Sequence, residues 1–325
     1  MLKEQIFSIK SKSDFEDLTM KIFQFQYINN PIYQRFCNLL GKSKNSVNSI
    51  NEIPFLPIEF FKKETVLSHQ KIEKIFTSSG TTGSVTSKHF VSDIKLYEKS
   101  FNEGFKNFYG EITEYIIIAL LPSYLEREGS SLVYMADKLI QQSKSNDSGF
   151  YLNEIESLTS VLRRLIDQPK KVLLLGVSFA LLDLADAMGF NLPDNFIIME
   201  TGGMKGRRKE MIRSELHSVL KNKFSVQQIH SEYGMTELLS QAYSKGDGLF
   251  SCPPWMDIMI RDSEDPLKIM TSGKTGGINV IDLANINSCS FIATQDLGKI
   301  IGPNQFEILG RFDHSDIRGC NLMVI

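Results

Sequence analysis

The chain has 325 residues, 42% hydrophobic and 23% charged, with a formal net charge of −2. That balance belongs to a soluble globular protein of one large domain or two moderate ones. It gives no electrostatic basis for a nucleic-acid partner, and no apolar run is long enough to span a bilayer.

The N-terminus, Met1-Leu2-Lys3-Glu4, has no signal-peptide h-region. The cysteines are Cys37, Cys252, Cys289 and Cys320, with no CxxC pair among them, so neither a zinc site nor a disulfide framework is indicated. A cytoplasmic protein with free thiols is the expectation.

Taken in order, Ser13 to Glu16 fits a capping box, and Phe15, Leu18, Ile22 and Phe25 follow at helical spacing. A helical region through about Leu40, interrupted near Pro31, is predicted. Pro54 and Pro57 then force an extended segment within 53–62. Buried strands are predicted at 115–121, 171–175, 196–199 and 225–229, and helices at 158–166, 179–188 and 209–220. Strands alternating with helices predict an α/β protein with mostly parallel sheets flanked by helices. From about residue 250 short β-type runs predict a β-rich subregion.

Several short motifs carry chemistry. Thr77-Ser-Ser-Gly-Thr-Thr-Gly83 contains nothing suited to core packing. Its glycines let backbone amides turn toward a ligand and its hydroxyls add donors, a composition suited to phosphate, though an ordinary surface loop shares it. The Walker A order is absent. His230-Ser-Glu-Tyr-Gly-Met-Thr-Glu237 sets a carboxylate beside a hydroxyl after a strand, which suits Mg²⁺ next to phosphate; Tyr233 offers a ring for a purine. The same string read alone is a strand end followed by a helix cap at Thr236. Thr294-Gln-Asp-Leu-Gly298 and Gly310-Arg-Phe-Asp313 place Asp296 and Arg311 where they suit ribose hydroxyls, or read singly as turns.

The four motifs in this order resemble the adenylate-forming superfamily. The Pro-rich 55–62 segment, the chain length and the ending Gly310 to Met323 further resemble the acyl-protein synthetase (LuxE-like) family within it. The resemblance implies activation of a carboxylic, fatty acid with ATP and Mg²⁺ to acyl-AMP, then transfer to a cysteine near the C-terminus. It also implies delivery to an acyl-CoA reductase or carrier-protein partner. On it, Ser79, Gly80, Thr81, Thr82 and Gly83 meet the phosphates, and Gly202 and Gly203 form the turn beside adenine. Tyr233, Gly234, Asp296 and Arg311 complete the nucleotide site, Thr236 meets the α-phosphate, Glu237 holds Mg²⁺, and Cys320 accepts the acyl group. Residues 1–313 form the adenylation domain and 314–325 the tail. The small C-terminal domain usual in the superfamily is not expected, because the sequence runs only twelve residues past Asp313.

Two further readings stay open: an acid–CoA or acid–carrier-protein ligase without self-acylation, and an inactive nucleotide-binding subunit. Gly176-Val-Ser-Phe-Ala180 has the outline of a nucleophile elbow around Ser178, but Ala stands where the second Gly belongs and no triad partners are identifiable. Lys88 and the 205–208 cations read as solvated, and His230 as a candidate pocket residue.

Overall fold

The computed structural model describes residues 2–68, 71–79, 86–122, 129–202, 208 and 211–312. Helix α1 spans Leu2–Ile6 and α2 spans Lys12–Asn29. The box that starts α2 is set two residues earlier than expected: the Ser11 hydroxyl accepts the Asp14 amide, and the Asp14 carboxylate accepts the Ser11 amide. Asp14 wins because its short carboxylate also takes the Lys10 amide. Asn30 closes α2 and caps α3 (Pro31–Leu39), accepting the Ile32 and Tyr33 amides, with Pro31 at the first helical position.

The Pro-rich segment has extended backbone at Ile53 and forms the strand β1 (Leu56–Pro57) before the short helix α4 (Phe60–Lys63). Strands β2 (Lys74–Thr77) and β3 (Lys88–Val91) form a separate antiparallel pair that brackets the 77–83 motif. Then α5 (Ile94–Tyr109), β4 (Tyr115–Leu120), α6 (Ser131–Ser143), β5 (Gly149–Phe150), α7 (Ile155–Leu165) and β6 (Lys171–Gly176) follow. After them come α8 (Ser178–Ala187), β7 (Phe196–Thr201), α9 (Arg213–Phe224) and β8 (His230–Tyr233). The chain continues through β9 (Ala242–Ser244), β10 (Leu249–Ser251), β11 (Met256–Arg261), β12 (Thr275–Asp282), β13 (Phe291–Gly302) and β14 (Gln305–Arg311).

One mixed sheet runs β11-β12-β13-β14-β10-β9-β8-β7-β6-β4-β5, with β1 added to β13. From β8 to β5 all pairs are parallel; from β8 to β11 they are antiparallel. The expected mostly parallel sheet is therefore half antiparallel, because β9 to β14 are joined by turns rather than crossover helices. Strands β4 and β6 are buried almost throughout, as their unbroken apolar runs require of strands covered on both faces.

The strand expected at 225–229 is displaced. Ser225 adopts a left-handed conformation (φ 59°) that ends α9, and the strand begins at His230. The helix expected at 209–220 lies at Arg213–Phe224, and α5 and α6 had no counterpart in the sequence reading.

Candidate active site

Strands β7 and β8 end side by side, with Thr201 opposite Glu232. Ligands of open α/β sheets bind outside such carboxyl ends. Beyond β7, Gly202 has φ +74°, a conformation that disfavours any side chain, and its carbonyl accepts the Ser178 hydroxyl at 2.5 Å. Ser178 therefore anchors the glycine turn, and among the described residues no base is hydrogen-bonded to its hydroxyl. Gly203 lies outside the described residues.

Tyr233 ends β8 and donates its hydroxyl to Asp296 Oδ2 at 2.7 Å. The β13–β14 register sets Arg311 directly across from Asp296, with Nε 3.4 Å from Oδ1. Burial pushes the Asp296 carboxyl above its usual range, opposed by the Tyr233 hydrogen bond and the nearby Arg311, Arg213 and Arg261 charges. A carboxylate fixed from both sides, beside an exposed guanidinium, is suited to bind paired hydroxyls. The Tyr233 ring is 8% exposed and packs against Phe250 and Phe306, so it presents its hydroxyl rather than an open face.

The hairpin supplies the other half. Ser78 donates its amide to the Ser87 carbonyl at 3.1 Å, and its hydroxyl accepts the Ser87 amide at 2.9 Å, closing the base of the loop. Thr77 donates its amide to Gly129 at 2.7 Å, and a Cβ on Gly129 would meet the Thr77 hydroxyl at 2.9 Å. Ser79 is exposed at the mouth of this hairpin; Gly80, Thr81, Thr82 and Gly83 lie outside the described residues. Lys88 is exposed, as expected of a solvated lysine.

The carboxylate of Glu237 is buried and hydrogen-bonded by Ser87. Burial pushes its pKa up, against the Ser87 bond and the Arg311 and Lys62 charges. Thr236 and Glu237 lie in a turn, not a helix; Leu238 donates its amide to the Met235 carbonyl at 3.1 Å. Asn285 Nδ2 donates to the Glu237 carbonyl at 2.7 Å, and His89 Nδ1 lies 2.8 Å from the Thr236 carbonyl. His89 Nε2 is 3.0 Å from Asn285 Oδ1. The neutral ring has one N–H for these two acceptors, so pairing on both sides needs the charged ring. Burial opposes that form and holds the His89 pKa down to about 4. Immediately after Glu237, the buried carboxylate of Asp282 accepts the Leu239 and Ser240 amides at 2.7 and 3.0 Å.

Beneath the strand ends lie two acidic groups that sequence reasoning missed. Glu232 accepts the Thr201 hydroxyl at 2.5 Å; burial and the neighbouring Glu200 charge raise its pKa to about 7. Burial acts on Glu200 too, but His217 and Arg213 outweigh it and hold its pKa below the usual range. Arg213 Nε is 3.1 Å from Glu200, and its Nη1 donates to the Ile308 carbonyl at 3.0 Å, tying α9 to β14. His230 is not free: Tyr109 Oη lies 3.1 Å from its Nδ1, and burial brings its pKa to about 4. Arg208 pairs with Asp183 and Asp186 of α8, at 2.5 and 2.8 Å, rather than standing solvated. Lys205, Asp313 and Cys320 lie outside the described residues. Among the described residues Cys37, Cys252 and Cys289 are free thiols, no cluster of three metal-ligating side chains occurs, and no helix is long and apolar enough to cross a membrane.

This fold is that of adenylate-forming ligases. It superposes on 2-hydroxyisobutyryl-CoA ligase, solved with 2-HIB-AMP and CoA, with a TM-score of 0.70 and 12% identity, covering 94% of this chain and 70% of that one. MatB from Rhodopseudomonas palustris, solved with ATP, gives a TM-score of 0.52 at 17% identity, covering 87% of this chain and 58% of that one. An ATP-bound RpMatB-BxBclM chimera matches at a TM-score of 0.52 and 17% identity over 74% of this chain, which spans only 48% of the chimera's length. The sequence model of the acyl-protein synthetase, LuxE family matches residues 6–325, and the chain belongs to that family of ligases. The long-chain-fatty-acid–luciferin-component ligase of Vibrio harveyi is 24% identical over 326 residues, 92% of this chain and 84% of that protein.

Proposed function

We propose that this ligase activates a long-chain fatty acid with ATP and passes the acyl group to the thiol of Cys320, for delivery to an acyl-CoA reductase or carrier-protein partner. The observation that carries the first step is the convergence of Tyr233, Asp296 and Arg311 with the Ser87–Glu237 contact at the base of the hairpin loop. A fatty acid and a protein acceptor are supported by the family's description and by the name of the Vibrio harveyi relative; the choice of Cys320 rests on the sequence resemblance.

In the first half-reaction a substrate carboxylate oxygen attacks the α-phosphorus of ATP; the bond to the β-phosphate oxygen breaks and pyrophosphate leaves. Two anions must meet, so the work of the protein is positioning and charge neutralisation. Ser79, Gly80, Thr81, Thr82 and Gly83 are assigned to the phosphates and Thr236 to the α-phosphate. Asp296, oriented by Tyr233 and Arg311, accepts the ribose hydroxyls, while Gly202, Gly203 and Gly234 let the backbone approach the base and sugar. Glu237 would hold a Mg²⁺ that comes with the nucleotide, because Mg²⁺ in nucleotide sites is bound through one or two carboxylates together with substrate phosphates. Bound there, Mg²⁺ neutralises phosphate charge. A buried carboxylate whose pKa burial has raised gains a compensating cation at that position.

In the second half-reaction the Cys320 thiolate attacks the acyl carbon. The C–S bond forms, the C–O bond to phosphate breaks, AMP leaves and the thiol proton goes to solvent.

Pyrophosphate exchange into ATP across a panel of carboxylic acids tests the first step; no exchange with any acid rejects it. Labelling with a radioactive fatty acid tests the second. The expected label is hydroxylamine-sensitive in wild type and absent in Cys320→Ser. A hydroxylamine-sensitive label that persists in the variant removes Cys320 as acceptor, and transfer to added CoA or carrier protein without any labelled enzyme marks the direct ligase instead.

A further inference from the structure

One buried side chain outside the nucleotide assignments joins the two halves of the site. His89, on β3, is 0% exposed, and its Nδ1 holds the Thr236 carbonyl at 2.8 Å from 147 residues away in sequence. Phe61 meets the imidazole edge-on at 5.7 Å, fixing the ring plane. Asn285, also fully buried, holds the next carbonyl, that of Glu237, at 2.7 Å and touches His89 at 3.0 Å. Asn285 is anchored in turn, because Gln26 of α2 donates to the Asn285 and Ile286 carbonyls at 3.1 and 2.9 Å. Successive carbonyls of one turn are thus met by different side chains that lie side by side, and the neutral ring's single N–H serves the shorter contact, that to Thr236. Ser87, two residues before His89 and just ahead of β3, bonds the Glu237 carboxylate.

We infer that His89 is a positioning residue for adenylation, holding the Thr236–Glu237 turn in register with the hairpin that carries the phosphate loop. The inference rests on the ATP-site reading above. The physical reason is that, among the described residues, the hairpin is a separate two-stranded pair with no ladder to the main sheet. Its register against Glu237 is therefore set by side-chain bonds rather than by backbone pairing. A carboxylate that binds a metal–nucleotide complex needs its orientation fixed by such outer partners, and losing one costs about 10–100-fold in activity or metal affinity.

The test is pyrophosphate exchange by wild type, His89→Phe and His89→Gln, with ATP, acid and MgCl₂ varied separately and folded fraction read by circular dichroism. Phe keeps the ring and its Phe61 contact but has no donor; the Gln amide restores one. The expected result is a kcat loss of about 10–100-fold per folded molecule in the Phe variant, with the acid KM unchanged and half-saturation by MgCl₂ raised, and substantial recovery in the Gln variant. If the Phe variant does not fold, Asn285→Ser, which leaves His89 in place and frees the Glu237 carbonyl, is read against the same expectation. Wild-type kcat and MgCl₂ dependence in a folded donorless variant, or a folded Gln variant as impaired as Phe, overturns the positioning role alone. Wild-type protein without exchange overturns the ATP reading and this inference with it.

Discussion

Replacing Tyr233 by Phe removes one hydroxyl and leaves the ring between Phe250 and Phe306. The lost bond is a 2.7 Å contact to a carboxylate. Hydrogen bonds to charged groups contribute about 1.5–3 kcal/mol, and about 1.4 kcal/mol is a factor of ten. Arg311, the other partner of Asp296, sits 3.4 Å away with a side chain 72% exposed. An ion pair of that kind contributes about 0–1 kcal/mol, so it cannot hold Asp296 in place of the tyrosine. The carboxyl, already raised by burial, also loses a bond that lowers its pKa, which weakens it further as an acceptor at low pH. Tyr233→Phe is therefore expected to raise the ATP KM by roughly 10–100-fold in pyrophosphate exchange, with the acid KM unchanged and the melting temperature close to wild type. An unchanged ATP KM in a folded variant would refute the assignment of Asp296 to the nucleotide. A large fall in melting temperature would show instead that Tyr233 serves the core.

Glu237→Gln is expected to lose most exchange activity at saturating ATP while folding normally, since it swaps a buried carboxylate for a neutral isostere; denaturant unfolding beside exchange kinetics checks both. Glu232 gives a pH prediction. Its folded pKa is about 7 against 4.5 for the free group, so between these values the unfolded chain ionises while the folded one keeps its proton. The native state therefore binds more protons there, and its relative stability falls as pH rises. Glu232→Gln is expected to be more stable than wild type by roughly 3 kcal/mol near pH 8, with the gap closing by about pH 4.5; urea unfolding at both pH values checks it, and a pH-independent gap contradicts the buried-acid assignment. Gly202→Ala meets no atom within 4 Å of the new Cβ but forces alanine to φ +74°. A cost of about 1–2 kcal/mol is expected, and a variant as stable as wild type would show that the turn relaxes.

The residues proposed for the nucleotide could be picked out because each lies in a short string whose order along the chain is informative. Asp296 and Arg311 belong to separate motifs, and the β13–β14 register brings them opposite one another. The strand at 225–229 was misplaced because its apolar residues, Val226 and Ile229, lead into a strand of mixed polarity. His230 and Glu232 face α5 while Ser231 faces α9, so no hydrophobic alternation marks β8. Helix α5 escaped notice between a motif and an apolar strand, although Asp93 caps it and Gly110 ends it.

Local order was enough to name the fold class and the family and to single out the motifs proposed for the nucleotide, because glycine turns, hydroxyl-rich loops and apolar runs act over a few neighbouring residues. Tertiary structure decided what surrounds them. His89, Asn285, Asp282, Glu200 and Glu232 are single polar residues with no motif, and burial gives each its meaning. A charge or donor removed from water must find a partner, and only the folded chain, which sets His89 against Thr236 and Thr201 against Glu232, determines which partner that is.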